Sequence, residues 1–254
     1  MIWAIPFGAL IVHLRKQWPE VRRALTHAQM LRWLTATGVL IAVNWFIYIV
    51  AIQTDRVYQA SLGYYINPLL FVLAGVLFFG ERLQGLQRMA VALATIGVFV
   101  LTISGGELPW FALGVGVSFA LYGVIRKRVV IGAMPGLFVE TLVLAPLALA
   151  WWVWLEASDA AVFGHTGASM DALLLLAGPV TVIPLVLFAV AARNLTLTTV
   201  GFIQFLAPTL QFLTGVYYGE QLTTPRLICF AFIWSAVIAF SLGAWRSHMK
   251  RVRA

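Results

Sequence analysis

Long apolar stretches alternate with short polar gaps along the whole chain. Nine of these stretches are candidate membrane spans, at 2–14, 33–53, 59–79, 84–104, 108–125, 137–155, 172–192, 197–218 and 226–245. A helix needs about 20 residues to cross the hydrocarbon core of a bilayer, and most of these stretches reach that length. The strands of a membrane barrel would be shorter and would alternate apolar with polar residues. The pattern therefore predicts an all-α polytopic membrane protein with nine transmembrane helices.

One part of this pattern occurs twice. Residues 63–81 and 201–220 each contain a proline, a glycine seven residues later, and a Gly-Glu pair that follows two aromatic residues. The shared positions, for which we predict structural roles at helix breaks and helix ends, are Pro68, Gly75 and Glu81 in the first copy and Pro208, Gly215 and Glu220 in the second. Self-similarity at a fixed spacing indicates an internal duplication. We predict one repeat over residues 1–104 and a second over 105–254.

The basic residues lie almost entirely on one side of the predicted membrane. When each Lys and Arg is assigned to the gap that contains it, 15 of the 17 fall on the same side: Arg15, Lys16, Arg22, Arg23, Arg32, Arg82, Arg88, Arg126, Lys127, Arg128, Arg193, Arg246, Lys250, Arg251 and Arg253. Lys and Arg concentrate in cytoplasmic loops of membrane proteins, so this side and the C-terminus are predicted to be cytoplasmic. The two copies then run in opposite directions, as in the inverted-topology repeats of many secondary transporters.

Composition agrees with a membrane protein and excludes other classes. The chain is 62% hydrophobic and 10% charged, with a mean hydropathy of +0.94. Its net charge of +8 would also suit nucleic acid, but the basic residues follow the topology instead, so we expect a lipid bilayer and no nucleic acid as partner. The four histidines have no metal-ligand spacing, and no phosphate-binding or nucleophile motif occurs. We therefore expect no enzyme activity, no metal and no cofactor.

Several motifs are similar to one family over essentially the whole chain. They are Met1-Ile2-Trp3, Asn44-Trp45, the run Ala60 to Leu69, Gly80-Glu81-Arg82, Phe119 to Gly123, Glu140-Thr141, Ala207-Pro208-Thr209 and Gly219-Glu220. In these motifs the chain resembles the RarD, "chloramphenicol-sensitive", branch of the EamA-type drug/metabolite transporter superfamily. The resemblance implies a permease of the bacterial inner membrane, built from two EamA-type repeats of five helices each, with an unsettled substrate. A homodimer is compatible with it.

The resemblance also implies ten helices, one more than the nine apolar stretches. The difference falls at the start, which gives a division of four and five helices in which the first helix of the family is missing. Met1-Ile2-Trp3 stands where related chains carry Val-Ile-Trp. We hypothesise that an internal valine codon was taken as the initiator. A stop codon in frame shortly upstream would contradict that hypothesis.

Polar and aromatic side chains within the spans are candidates for lining a solute path, namely Asn44, Tyr64, Asn67, Tyr122 and Gln204. Asn67 directly precedes the proline of the first copy, and Gln204 lies four residues before the proline of the second. Proline interrupts a helix, and solute sites in inverted-repeat transporters lie at interrupted helices. In the alternative interpretation, the amides only join helices and the aromatic side chains face lipid or the membrane interface.

Glu140 is the conspicuous acidic residue of the sixth apolar stretch. An acidic side chain within a span is costly, so it is expected to face a cavity or a partner, and such a group is suited to proton coupling. The alternative is an anchoring role near Arg126, Lys127 or Arg128.

The leading interpretation is a permease that moves a small organic solute by alternating access, with proton or gradient coupling through Glu140. The alternative is a non-transporting membrane accessory protein, or an inactive truncated transporter. The missing first helix and the modest polar content of the spans favour this alternative.

Overall fold

The computed structural model describes residues 2–106, 108–218 and 223–253. Over these ranges the chain is helical and contains no strand. The helices are α1 (Ala4–Leu14), α2 (Trp18–Thr26), α3 (Ala28–Gln53), α4 (Val57–Phe79), α5 (Gly85–Ser104), α6 (Trp110–Arg128), α7 (Ala133–Ala157), α8 (Ala168–Asn194), α9 (Leu197–Gln204), α10 (Leu206–Tyr217) and α11 (Thr224–Arg253).

Within the described ranges, seven helical segments are long and apolar enough to cross a membrane by length and composition. They are α3, α4, α5, α7, α8, the segment Leu197–Thr214 of α9 and α10, and the segment Thr224–Arg246 of α11. A multi-pass membrane protein is therefore confirmed, but the count of nine spans is not. α1 has 11 residues, which at about 1.5 Å per residue is shorter than a hydrocarbon core of ~30 Å. α6 is also not among the seven segments, and its last three residues are all basic.

A short amphipathic helix that the apolar pattern did not predict occupies the basic gap after α1. In α2, proline stands in the first turn, where its missing N–H costs nothing. Val21 and Ala24, three residues apart, are buried, while Arg22 and Arg23 are exposed. Proline at the start followed by this spacing is the local signal of such a helix.

The helices form two compact units, each built from both predicted halves of the sequence. The first contains Met1–Ala42 and Ile125–Asn194, and the second contains Val43–Val124 and Leu195–Ala254. In the first unit α7 packs against α1, α2 and α8. In the second, α5 packs along α11 and α4 packs against α9. The division into repeats at residue 104 stays a prediction, because packing units and sequence repeats are different properties.

Small residues set the close packing of α5 on α11 in the second unit. A Cβ at Gly97 would lie 2.9 Å from Cβ of Phe232 and 3.1 Å from the carbonyl oxygen of Cys229. Ala90 and Ala94 on the same helix are fully buried. Without a hydrophobic effect between helices in lipid, close van der Waals contact of this kind holds them together. Cys229 is a buried free thiol in this contact.

Candidate functional site

The two similar segments lie against each other in the second unit. The first copy is part of α4, which continues through Pro68. The second copy is interrupted at Phe205, between α9 and α10. Pro208 cannot donate to the carbonyl of Gln204, and its ring crowds that carbonyl, so the helix breaks there. The sequence predicted one uninterrupted span over 197–218, and the structure divides it at this point.

Gly201 allows the backbones of α9 and α4 to approach closely. A Cβ at this position would lie 2.6 Å from the carbonyl oxygen of Pro68 and 3.1 Å from Cβ of Phe71. Real Cβ atoms do not come that close to a backbone oxygen, so glycine is the residue that fits. This close approach brings the two proline-containing segments into contact.

Asn67 and Gln204 meet at this approach. The Asn67 Nδ2 donates a hydrogen bond of 2.6 Å to the Gln204 Oε1. Asn67 is 7% exposed. The other two polar atoms, Oδ1 of Asn67 and Nε2 of Gln204, are buried and have no hydrogen-bond partner among the described residues. Because buried polar atoms are nearly always paired, a free acceptor and a free donor side by side mark this contact as a candidate binding site.

Further polar contacts join α4 to α10 around the amide pair. The Tyr65 hydroxyl donates to the carbonyl oxygen of Pro208 at 3.5 Å. The Gln211 Nε2 donates to the Ser61 Oγ at 3.2 Å. These bonds hold the second half of the broken helix against α4.

The other candidate residues have different neighbours. Asn44 donates from Nδ2 to the Val115 carbonyl oxygen at 2.7 Å and to the Ser118 Oγ at 2.9 Å, which joins α3 to α6. The Tyr122 ring is fully buried and stacks on Phe119, with ring centroids 5.8 Å apart.

Tyr64 is 36% exposed and packs edge-on against Tyr48, with ring centroids 5.8 Å apart. The structure thus brings Asn67 and Gln204 together, and the contacts described for Asn44, Tyr64 and Tyr122 are with other residues.

Two shallow clefts open elsewhere in the second unit. One, of about 180 Å³, is lined by Arg56, Tyr58 and Thr102 among others. The other, of about 120 Å³, lies between apolar side chains of α4 and α6. Both are smaller than the ~300–1,000 Å³ of a drug-sized pocket, and neither includes the amide pair. The two free polar atoms of the pair are themselves buried.

Glu81 connects the end of α4 to the start of α9. Its carboxylate accepts hydrogen bonds from the backbone N–H of Leu197 at 2.7 Å and of Thr198 at 2.9 Å. Gly80 ends α4 with φ of 61°, the left-handed conformation that favours glycine. A Cβ at Gly75 would lie 2.5 Å from the Glu81 Oε2, so glycine leaves room for the returning side chain.

These contacts give the repeated Gly and Glu positions of the first copy a physical reason. In the second copy Gly215 lies in α10 and Pro208 lies in its first turn. Glu220 lies outside the described residues.

In the first unit Glu140 forms a buried ion pair with Arg126. The Arg126 Nη1 lies 3.4 Å from the Glu140 Oε1, and the Thr37 hydroxyl donates to the same oxygen at 2.7 Å. The Arg126 Nη2 donates to the carbonyl oxygen of Ala133 at 2.9 Å. A Cβ at Gly136 would collide with the guanidinium, so glycine makes room for it.

The comparisons with known proteins agree with this architecture. A family model described as the EamA-like transporter family matches residues 1–103. An uncharacterized transporter of Pseudomonas aeruginosa is 43% identical over 250 residues, which cover 97% of this chain and 83% of the relative. Protein RarD of Salmonella typhimurium is 39% identical over 252 residues, which cover 99% of this chain and 86% of the relative. The chain belongs to the EamA-like transporter family, and within it to the RarD-like proteins.

A solved crystal structure resembles this member of the EamA-like family in fold. The two share 20% sequence identity and a TM-score of 0.68 over 96% of this chain and 85% of that chain. At that identity the likeness concerns the fold alone. Family membership confirms the resemblance inferred from the sequence motifs and identifies the chain as a membrane transporter.

Sequence reasoning missed two charged contacts at helix ends of this EamA-like chain. The Glu20 Oε2 accepts from the backbone N–H of Gly132, directly before α7, at 3.0 Å. The Lys127 Nζ donates to the carbonyl oxygen of Ala192, in the last turn of α8, at 3.1 Å. An acid at a helix start and a base at a helix end both complement the helix dipole. The lone acid in a basic gap was the available signal for Glu20.

Replacement of Glu81 by glutamine is expected to lower the free energy of unfolding by about 1–2 kcal/mol. Glutamine keeps one acceptor oxygen but turns an NH₂ group towards a backbone N–H at the positive end of α9. The thermal unfolding midpoint of the purified protein in detergent measures the effect, and a decrease of about 2–8 °C is expected. Glu156→Gln, at an exposed acid bonded to His165, is the matched control. A midpoint equal to that of the control would contradict the prediction.

Proposed function

We propose that this RarD-like chain is a secondary permease of the bacterial inner membrane that moves a small organic solute by alternating access, with its C-terminus in the cytoplasm. The observation that carries the proposal is the contact of the two similar segments at their prolines, where the buried Asn67 hydrogen-bonds the half-buried Gln204. Solute sites of inverted-repeat transporters lie at interrupted helices of this kind.

Three properties of the chain support a solute site that opens and closes as α4 and α9 move. The Asn67 Oδ1 and the Gln204 Nε2 are buried, so a solute that binds them requires α4 and α9 to separate. Besides apolar packing, the contact is joined by a few hydrogen bonds, and a rigid-body motion can break these without unfolding a helix. The charge distribution supports opposite orientations for the two copies, so separation on one side has a counterpart on the other.

We also propose that Glu140 couples transport to protons. Its carboxylate is buried with a buried guanidinium and a hydroxyl as partners. In this arrangement Arg126 and Glu140 balance each other's charge, and opening of the pair removes that balance. A conformational change that separates Arg126 from Glu140 would thereby take up a proton, and the reverse change would release it.

Solute counterflow tests the permease directly. Proteoliposomes that contain the full chain are loaded with unlabelled solute, and the entry of labelled solute is measured for chloramphenicol, choline and glycerol in turn. We expect saturable entry of at least one probe, at least tenfold faster than in protein-free liposomes. Equal rates for all probes with and without protein would contradict the permease and favour the non-transporting accessory role. Chloramphenicol is included because of the name of the RarD branch.

A further inference from the structure

We propose that the Asn67–Gln204 pair recognises an uncharged solute that carries an amide, with the solute N–H donated to one side chain and its carbonyl accepting from the other. The inference rests on the proposed permease and names the chemistry of its solute. It starts from two buried atoms, the Asn67 Oδ1 and the Gln204 Nε2, which have no hydrogen-bond partner among the described residues.

The donor and acceptor count of a carboxamide leads to this chemistry. Each carboxamide has an NH₂ side that donates and an oxygen that accepts. When two carboxamides share a single hydrogen bond, the oxygen of one and the NH₂ group of the other are therefore always left without a partner. Here they belong to side chains joined at 2.6 Å, so the free acceptor and the free donor are neighbours. An amide group, with its N–H and carbonyl on adjacent atoms, offers the complementary pair.

The surroundings favour an uncharged solute. The Asn67 and Gln204 amides form a hydrogen bond with each other. Neither amide forms a hydrogen bond with a charged side chain in the described part of the chain. Nearby side chains on α4 and α9 are aromatic, with Phe71 and Phe202 buried. Burial of an isolated charge among such groups is far more costly than burial of a neutral polar group. An amide that satisfies both free atoms removes the cost of leaving them unpaired.

The inferred cycle has two arrangements of the same four polar groups. Without solute, Asn67 and Gln204 satisfy each other in part and α4 stays against α9. When the helices part, a solute amide donates its N–H to the Asn67 Oδ1 and accepts from the Gln204 Nε2, so that it bridges the two side chains in place of the bond that the separation breaks. The exchange explains why unpaired polar atoms persist in a buried contact, where they otherwise only destabilise.

The test compares amides with esters that lack the N–H donor. Counterflow of labelled chloramphenicol, itself an amide, is inhibited with nicotinamide and benzamide and with their matched methyl esters, methyl nicotinate and methyl benzoate. We expect each amide to inhibit at about a tenfold lower concentration than its ester. In Asn67→Leu and Gln204→Leu the ratio should fall towards one. Gln53→Leu, which removes an exposed amide at the end of α3, should keep the wild-type ratio.

Equal inhibition by amides and esters in the wild-type protein overturns the inference, and that comparison does not depend on any variant folding. Counterflow of choline or glycerol without counterflow of chloramphenicol also overturns it, while the permease stands. If no probe shows counterflow, the permease and the inference fail together. A water molecule as the sole occupant of the site would give equal inhibition by amide and ester.

Discussion

Replacement of Arg126 by methionine is expected to lower the free energy of unfolding by about 3–5 kcal/mol, the largest effect on stability that we predict. The Arg126 guanidinium is fully buried and lies 3.4 Å from the Glu140 carboxylate. Its removal leaves a buried negative charge without the cation that faces it. Unfolding of the purified protein in detergent measures the loss. Arg22→Met, at an exposed residue of α2, should change the free energy by less than about 0.5 kcal/mol.

A double replacement distinguishes an ion-pair effect from a general packing effect. Arg126→Met combined with Glu140→Leu removes both charges and fills the space with apolar groups. Buried ion pairs replaced in this way often leave stability unchanged or raised. We therefore expect the double variant to regain most of the loss. A double variant as unstable as Arg126→Met alone, or a single variant as stable as the wild type, would show that the charges do not stabilise each other.

Replacement of Glu140 by glutamine is expected to abolish solute accumulation driven by a pH gradient and to leave counterflow in place. Glutamine keeps the shape and an acceptor for the Thr37 hydroxyl but cannot carry a proton between the two states. Accumulation of the solute that shows counterflow is measured in proteoliposomes with an imposed pH gradient. Counterflow in the same vesicles checks that the variant is folded.

The matched control for this coupling test is Glu156→Gln, at an acid that is exposed and contacts His165. It should accumulate solute like the wild type. A Glu140→Gln protein that also accumulates solute like the wild type would exclude Glu140 as the coupling residue. The ion pair with Arg126 would then have a structural role.

The helices themselves could be predicted from the sequence because the composition of a short segment is enough to indicate each one. A stretch of about 20 apolar residues needs to satisfy its backbone internally in lipid, and a helix does this without any distant partner. The predicted helices were wrong where the length or the local chemistry of a segment leads to a different structure. α1 is short, α2 is amphipathic and not apolar throughout, and the second copy breaks at Phe205, ahead of its proline.

The site could be predicted only in part. Proline marked the neighbourhood of Asn67 and Gln204, since its effect on the helix is local. Their contact joins residues 137 positions apart and depends on the backbone approach at Gly201, which no local pattern encodes. Asn44 shows why the other contacts could not be predicted. The local sequence around an asparagine in an apolar span is the same whether its side chain binds a solute or joins α3 to α6.

The partners of Glu140 illustrate the same limit. Its acidic side chain within a span indicated a partner, and Arg126 was one of three basic residues considered. Thr37 lies 103 positions away along the chain and carries no signal of its own, since threonine is common in membrane helices. The burial of Arg126 and Glu140 became evident only from the packing of α7.

Counterflow in proteoliposomes tests the central claim, that the two similar segments form the moving site of a permease. The account predicts saturable entry of at least one of chloramphenicol, choline and glycerol into vesicles that contain the full chain. It also predicts that Asn67→Leu slows this entry at least tenfold, while Gln53→Leu, at an exposed amide at the end of α3, does not. Entry at the protein-free rate for every probe, or entry unchanged by Asn67→Leu, would contradict it.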